Sequence, residues 1–96
     1  MTAAAPLPDD ARFARPASCS YSVLGAEVLV LDMSQRKSHR LLETAAFIWQ
    51  RAIRRESLSE IAAAVTAEYE VDGEQARRDV DSALAKFVSA GILTRA

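Results

Sequence analysis

The chain has 96 residues, of which half are hydrophobic and about a quarter are charged. This length accommodates one small domain, because a second core would need roughly another 50–100 residues. Twelve Lys and Arg residues against thirteen Asp and Glu residues give a formal net charge of −1. That balance disfavours a dedicated nucleic-acid binder, because phosphate neutralisation supplies most of such a protein's affinity. A single cysteine, Cys19, excludes an internal disulfide.

The sequence shows no evident membrane-spanning segment and no evident export signal. No stretch approaches the ~20 apolar residues that a bilayer crossing requires, and the first residues lack the charged and apolar regions of a secretory signal. We therefore expect a cytoplasmic location and no membrane partner. The Ala- and Pro-rich residues 1–17 predict a flexible N-terminal arm, and residues 18–96 are then the folded domain.

Three short strands are predicted after the arm. Residues 19–24 alternate in part between apolar and polar, and Gly25 can supply the positive φ of a two-residue hairpin turn. Residues 27–32 contain four successive apolar residues, which is typical of a strand covered on both faces in the middle of a sheet. Residues 37–42 are polar except at their end, and charged side chains commonly protect an exposed sheet edge. This third strand is therefore predicted to lie at the edge.

Three helices are predicted next, because the hydrophobic period changes from two residues to 3.6. The first covers about residues 43–54, and the second begins at a capping box formed by Ser57 and Glu60. A similar box opened by Asp72 begins the third helix, which ends at Gly91 in a Schellman motif. The order of elements predicts an α+β, winged-helix-like fold with a three-stranded antiparallel sheet followed by three helices.

Catalytic chemistry finds little support in the sequence. A nucleophile needs a base within hydrogen-bond reach, yet the chain has one histidine, His39, and one candidate thiol, Cys19. One His and one Cys cannot form a four-ligand zinc site of the usual type, and three isolated glycines form no phosphate-binding loop. We therefore predict no catalytic residue, no metal site and no cofactor, and expect that the chain is not an enzyme.

A winged-helix DNA-binding regulator is one function that the predicted helices allow. The second and third helices with their short turn resemble a helix-turn-helix unit, whose last helix would enter the major groove. The start of the third helix, however, carries the carboxylates of Glu74, Asp79 and Asp81 beside two arginines. Carboxylates aimed at phosphates are repelled, so this function is the alternative rather than the leading hypothesis.

Peptide binding agrees better with the predicted edge strand, because an extended peptide can add to such an edge as a further strand. Side-chain pockets must supplement the backbone hydrogen bonds, each of which contributes only about 0.5–1.5 kcal/mol. On the third helix, Leu84 and Val88 extend from the core stripe towards the flank that carries Arg77 and Asp81. A groove between this flank and the third strand is one interpretation, and simple packing of Leu84 and Val88 against the sheet is the other.

Residues 41–49, Leu-Leu-Glu-Thr-Ala-Ala-Phe-Ile-Trp, resemble the L-N-x-T-A-x-x-I-W signature of PqqD-like proteins, which are also called RiPP recognition elements. Further along, Glu60-Ile61 and Tyr69-Glu70-Val71 are similar to the later E-I and Y-x-V positions of that family. Residues 79–93 resemble its closing D-V-x-x-x-L-x-x-L-x-x-x-G-L-L. The resemblance extends from about residue 21 to residue 93. One departure is Leu42, which stands where the family often has a helix-capping Asn.

The resemblance implies a non-catalytic adaptor that binds the leader of a ribosomally made precursor peptide. The adaptor would present that leader to a modifying enzyme, such as a radical SAM enzyme or a leader peptidase. In such proteins the leader adds to the third strand and lies against the third helix. The implied peptide-binding residues here are Lys37, Ser38, His39, Arg40, Leu41, Leu42, Arg77, Asp81, Leu84 and Val88. An unoccupied edge strand could also pair with a second copy of the chain, so a homodimer stays open as an alternative.

Overall fold

A computed structural model describes residues 6–96 of the chain. The predicted α+β fold, a three-stranded antiparallel sheet followed by three helices, is confirmed, and a two-stranded sheet formed by the chain ends is added to it. In chain order the elements are β1 (Phe13–Ala14), β2 (Cys19–Leu24), β3 (Glu27–Asp32), β4 (Lys37–Leu42), α1 (Glu43–Ala52), α2 (Leu58–Tyr69), α3 (Gly73–Ser89) and β5 (Thr94–Arg95).

The main sheet is a meander in the order β2-β3-β4. Gly25 has a φ of +64° in the turn between β2 and β3, as the hairpin prediction requires. Val30, in the central strand, lies opposite Tyr21 of β2 and His39 of β4. Within residues 6–96, no strand pairs with the outer edge of β4, so the predicted edge position of this strand is confirmed.

The two faces of the sheet differ in burial. Val28 and Val30 are completely buried on the face that packs against the helices, whereas Leu31, on the opposite face, is 40% exposed. The prediction that β3 is covered on both faces is therefore wrong. A continuous apolar run shows that a strand is central, but here the helices cover only one side of the sheet. Tyr21, at the β2 edge, is 41% exposed although it lies on the helix-facing side.

Trp49 of α1 joins the sheet to the C-terminal part of the chain. Its side chain is fully buried, and its indole N–H donates to the carbonyl of Ile92 at 3.1 Å. The ring of Tyr21 packs edge-on against the indole with centroids 5.1 Å apart. Because a buried indole N–H needs a partner, this hydrogen bond also determines the position of the residues that follow α3.

The helix ends largely agree with the sequence-based predictions. Ser57 and Glu60 form the complete capping box at the start of α2. Asp72 caps α3 by accepting from two backbone N–H groups, but the side chain of Gln75 donates to Asp79 instead of returning to the cap. The expected box at α3 is thus only half formed.

The Schellman motif at the end of α3 is confirmed. Gly91 has a φ of +82°, its N–H donates to the Val88 carbonyl at 3.1 Å, and the N–H of Ile92 donates to the Phe87 carbonyl at 3.0 Å. These two bonds satisfy carbonyls that the helix end would otherwise leave unpaired.

The start of α1 shows the consequence of Leu42 at the cap position. Within the described residues, no side chain accepts a hydrogen bond from the first turn of this helix. Glu43 instead adopts a left-handed φ of +47°, and its N–H donates to the carbonyl of Ala26 at 3.1 Å. A non-glycine residue in this region costs of the order of 1 kcal/mol or more. The bond to Ala26 joins the start of α1 to the first hairpin turn.

The N-terminal region contributes to the core. Ala11 and Phe13 are buried, and β1 pairs with β5 rather than with the main sheet. The first five residues of the predicted arm lie outside the described residues, and the division into residues 1–17 and 18–96 stays a prediction. None of the helices in residues 6–96 has the length and apolar character that a membrane crossing requires.

Replacing Gly91 tests the cap of α3. An alanine at this position would adopt a strained left-handed backbone conformation, and its Cβ would lie 2.7 Å from the side-chain amide nitrogen of Gln35. We expect Gly91→Ala to lower the free energy of unfolding by about 1–2 kcal/mol in urea denaturation. Gly73→Ala is the matched control, because nothing lies within 4 Å of its Cβ position. Equal stabilities of the two variants would contradict this role of Gly91.

Candidate functional site

Asp32 fixes the turn from which β4 begins. Its carboxylate is almost fully buried and accepts from the hydroxyl of Ser34 at 2.7 Å, the N–H of Ser34 at 3.0 Å and the side-chain amide of Gln35 at 2.9 Å. These hydrogen bonds, first of all that of the Ser34 hydroxyl, lower the pKa of Asp32. The charged carboxylate therefore holds the turn in place and with it Lys37, which lies opposite Asp32 in the sheet.

Both faces of β4 are attached to the rest of the domain. Leu41 is buried on the helix-facing side. On the solvent-facing side, the guanidinium of Arg40 donates to both carboxylate oxygens of Glu27, at 2.7 Å and 3.0 Å, and these bonds lower the pKa of Glu27. The strand is thus fixed by its side chains while the backbone groups along its outer edge lack a partner strand among residues 6–96. Such an edge is able to accept an extended chain.

His39 lies in the middle of this strand on the helix-facing side. It is half-buried, and its Nε2 atom is inaccessible and has no hydrogen-bond partner in the part of the chain that the structure describes. Buried polar atoms are nearly always paired in folded proteins. His39 is therefore the one residue of the predicted set with a buried polar atom that lacks a partner in the described chain.

The four predicted positions on α3 do not form one surface. Leu84 is completely buried in the core, whereas Val88 is 37% exposed. Of the two interpretations of these residues, a peptide groove and simple packing, packing applies to Leu84. Only Val88 of this pair is accessible to a ligand. The difference between the two residues has a simple cause, since Leu84 lies at the border of the apolar stripe and periodicity does not determine how far neighbouring elements extend over that border.

Arg77 and Asp81 form an ion pair one turn apart, with an N–O distance of 3.3 Å. Both also contact the N-terminal segment, because Asp81 accepts from the N–H of Leu7 at 3.0 Å, and Arg77 donates to the Leu7 carbonyl at 2.7 Å and to the Asp9 carboxylate at 2.8 Å. The sequence analysis missed Leu7 and Asp9, since no periodic or spacing signal connects residues that are about 70 positions apart. A surface pocket of about 420 Å³ adjoins these contacts, lined by Pro6, Arg77, Arg78, Asp81 and Ser82.

The candidate thiol lies in an environment that disfavours a nucleophile. Cys19 is buried, and burial, together with the nearby charge of Asp32, raises the pKa of its thiol. A reactive cysteine needs the opposite shift, because the thiolate is the nucleophile. Residues 6–96 contain no group of three or more His, Cys, Asp or Glu side chains that could hold a metal ion.

The chain is similar to known proteins in both sequence and fold. Residues 27–93 match the model of the family described as coenzyme PQQ synthesis protein D (PqqD). No curated protein matches the chain. Among solved structures, a lasso peptide synthetase B1 complexed with its leader peptide is 26% identical, with a TM-score of 0.79 over 86% of this chain and 98% of that one. TbiB1 in complex with the TbiA(beta) leader peptide is 22% identical, with a TM-score of 0.79 over 83% of this chain and 93% of that one. The second likeness bears on the fold alone.

Truncating Leu84 and Val88 separates packing from surface exposure on α3. We expect Leu84→Ala to lower the free energy of unfolding by about 2–5 kcal/mol, because it leaves a cavity in the core. Val88→Ala should cost about 1 kcal/mol or less, since much of its side chain is in contact with water. Urea denaturation followed by circular dichroism measures both values. Similar losses for the two variants would contradict the placement of these side chains.

Proposed function

Because the chain belongs to the PqqD family, we propose that it is an adaptor that binds the leader of a ribosomally made precursor peptide. The leader adds as a fourth strand along the outer edge of β4, and the adaptor presents the bound precursor to a modifying enzyme. The observation that carries this proposal is the outer edge of β4, which no strand within residues 6–96 covers and whose side chains are held on both faces. The solved structure that is 26% identical to this chain is described as a complex with a leader peptide, which supports the same kind of ligand here.

The energetics of strand addition require side-chain contacts as well. In an antiparallel pair, alternate residues direct both their N–H and C=O groups towards the new strand, so six-residue β4 offers about three such residues. Hydrogen bonds of about 0.5–1.5 kcal/mol each fall short of the ~8 kcal/mol of micromolar binding once ordering of the peptide is included. Val88 on α3 and Leu42 at the end of β4 are exposed apolar side chains that could supply part of the difference.

Lys37, Ser38, His39, Arg40, Leu41 and Leu42 of β4, together with Arg77, Asp81 and Val88 of α3, are the proposed peptide contacts. His39 is the most informative of them, since its inaccessible Nε2 lacks a hydrogen-bond partner within the described chain, and a peptide whose binding turns the ring outward could supply one. Leu84 acts indirectly in this proposal, by fixing the position of α3 from the core.

The winged-helix DNA-binding alternative gains no support from the charges of α3. Arg77 is paired with Asp9 and Asp81, and Arg78 lies beside Glu74 at 4.0 Å. A recognition helix whose arginines are already neutralised has little net attraction for phosphates.

The modifying enzyme supplies the chemistry in this proposal, and the adaptor raises the concentration of the precursor near that enzyme. A radical SAM enzyme and a leader peptidase are examples of such a partner. A second copy of the chain paired along β4 would compete for the same edge. Analytical ultracentrifugation at the assay concentration separates such a homodimer from a monomer that binds peptide.

Proline substitutions on β4 test the proposed mode of binding. The probe is the N-terminal half of the peptide encoded by the short reading frame nearest to this chain's gene, labelled with fluorescein. Adjacent residues direct their N–H groups to opposite sides of the strand, so one of the variants Ser38→Pro and His39→Pro removes an N–H that faces the outer edge. We expect that variant to weaken binding about tenfold and to keep the circular dichroism spectrum. The other variant removes a hydrogen bond to β3 and should lose stability. Fluorescence anisotropy measures the affinities.

A proline at Ser22 in β2 is the control, because β2 forms the other edge of the sheet. A folded Ser22→Pro variant should bind the probe as the original chain does. If both β4 variants fold and bind with unchanged affinity, strand addition at this edge is contradicted. Binding of a 20-base-pair DNA duplex that Arg78→Ala in α3 abolishes would instead favour the DNA-binding alternative.

A further inference from the structure

A short extended segment of the chain's own N-terminal region lies against α3. Leu7, between Pro6 and Pro8, donates its backbone N–H to Asp81 Oδ2 at 3.0 Å, and its carbonyl accepts from Arg77 Nη2 at 2.7 Å. Both polar backbone groups of one residue are therefore bound by side chains of the helix. A residue that precedes proline is restricted to extended conformations. Residues 6–8 therefore contact α3 in the way that an extended peptide ligand would.

A carboxylate anchors the segment two residues further along. Asp9 Oδ1 accepts from Arg77 Nε at 2.8 Å, while the same guanidinium also contacts Asp81 at 3.3 Å. The Arg77 and Asp81 side chains are 30% and 21% exposed, whereas the Asp9 side chain is 72% exposed. The two helix side chains are thus half-buried and oriented by their own ion pair, and the carboxylate of Asp9 approaches them from the solvent.

The held segment ends at a recognisable point in the chain. The Asp9 carbonyl accepts from the N–H of Ser59 at 2.9 Å, and the Ala11 carbonyl accepts from the N–H of Leu58 at 2.9 Å. These bonds satisfy N–H groups at the start of α2 and make residues 9–11 part of the fold. Residues 6–8 make other contacts, since the Pro8 carbonyl accepts from the N–H of Ala11 at 3.0 Å and Leu7 packs in part against the core. None of these three residues bonds to the start of α2, so Leu7 can leave α3 without disturbing the cap of α2.

We propose that Arg77 and Asp81 form a receptor for an extended peptide, which Leu7 and the side chain of Asp9 occupy in the free protein and which the leader enters by displacing them. The receptor takes a segment in which an apolar residue precedes a carboxylate by two positions, as Leu7 precedes Asp9. The surface pocket beside Pro6 and Ser82 lies next to this receptor and gives the incoming peptide room. This inference rests on the proposed function, since it assigns one part of the leader's path.

The strength of the internal contact favours exchange. Ion pairs that are largely exposed contribute little to stability and weaken with salt. The segment binds its receptor mainly because the chain holds it close by, which raises its effective concentration. With a tethered competitor, the apparent Kd of a ligand equals its intrinsic Kd divided by the fraction of molecules in which the site is free. Loosening residues 7–9 should therefore strengthen leader binding without any change in the leader's own contacts.

Asp9→Ala and Asp10→Ala test this competition with the same change of charge at neighbouring exposed positions. Asp10 takes no part in the hydrogen bonds to Arg77 and Asp81 described above. With the fluorescein-labelled leader defined in the preceding subsection, we expect Asp9→Ala to bind about two- to fivefold more tightly than the original chain. Asp10→Ala should bind with the original affinity. Leu7→Pro, which removes the N–H bound by Asp81, should also tighten binding.

Amide hydrogen exchange at Leu7 provides the second measurement on the original chain. Addition of the leader should accelerate exchange at Leu7, because its N–H is released from Asp81. If the leader binds while this amide stays protected, or if Asp9→Ala binds no more tightly than Asp10→Ala, the receptor is overturned and strand addition at β4 still stands. A leader that binds to none of these proteins contradicts both proposals.

Discussion

The outer edge of β4 is the constraint on which the rest of the structure depends. A row of backbone donors and acceptors on an edge strand is a template for any other chain, including an unwanted copy. The domain keeps this edge available by fixing the strand through its side chains. Leu41 enters the core, Arg40 is bound to Glu27, and the hydrogen-bonded carboxylate of Asp32 holds the turn before the strand. An edge held in this way does not need to be ordered when a peptide arrives, which reduces the cost of binding.

The C-terminal part of α3 is tied to the same sheet. Trp49 joins α1 to the carbonyl of Ile92, and the thiol of Cys19 lies 3.7 Å from the carbonyl of Gly91. The Schellman motif at Gly91 therefore determines how the end of α3 meets the sheet. Both proposed contact surfaces for the leader, β4 and α3, are thus parts of one packed unit, and a change in the core at either place would be transmitted to the other.

Much of the fold could be predicted from the sequence, because its local signals agree with one another. The bounds of the three main strands, the positive φ at Gly25 and Gly91, and the cap at Ser57 each follow from chemistry within a few residues. The exposure of Leu31 and the difference in burial between Leu84 and Val88 could not be predicted in this way. Both depend on how far the neighbouring elements extend over a border residue, and the sequence period carries no information on that extent.

The contacts of the N-terminal segment illustrate a second kind of limit on prediction. Leu7 and Asp9 meet Arg77 and Asp81 across about 70 positions of sequence. Their composition, rich in Pro and charge, is typical of a mobile arm, and a single salt bridge has no periodic pattern that would indicate it. The predicted site on α3 nevertheless included Arg77 and Asp81, and the structure adds that the chain's own backbone already uses both side chains.

The most direct test of strand addition is amide hydrogen exchange along β4 with and without the leader peptide. The account predicts that alternate amides within Lys37–Leu42, those directed away from β3, become strongly protected when the leader is added, while amides of the outward edge of β2 do not change. Unchanged exchange throughout β4 at a leader concentration that saturates binding would contradict it, because the peptide would then be bound elsewhere on the domain.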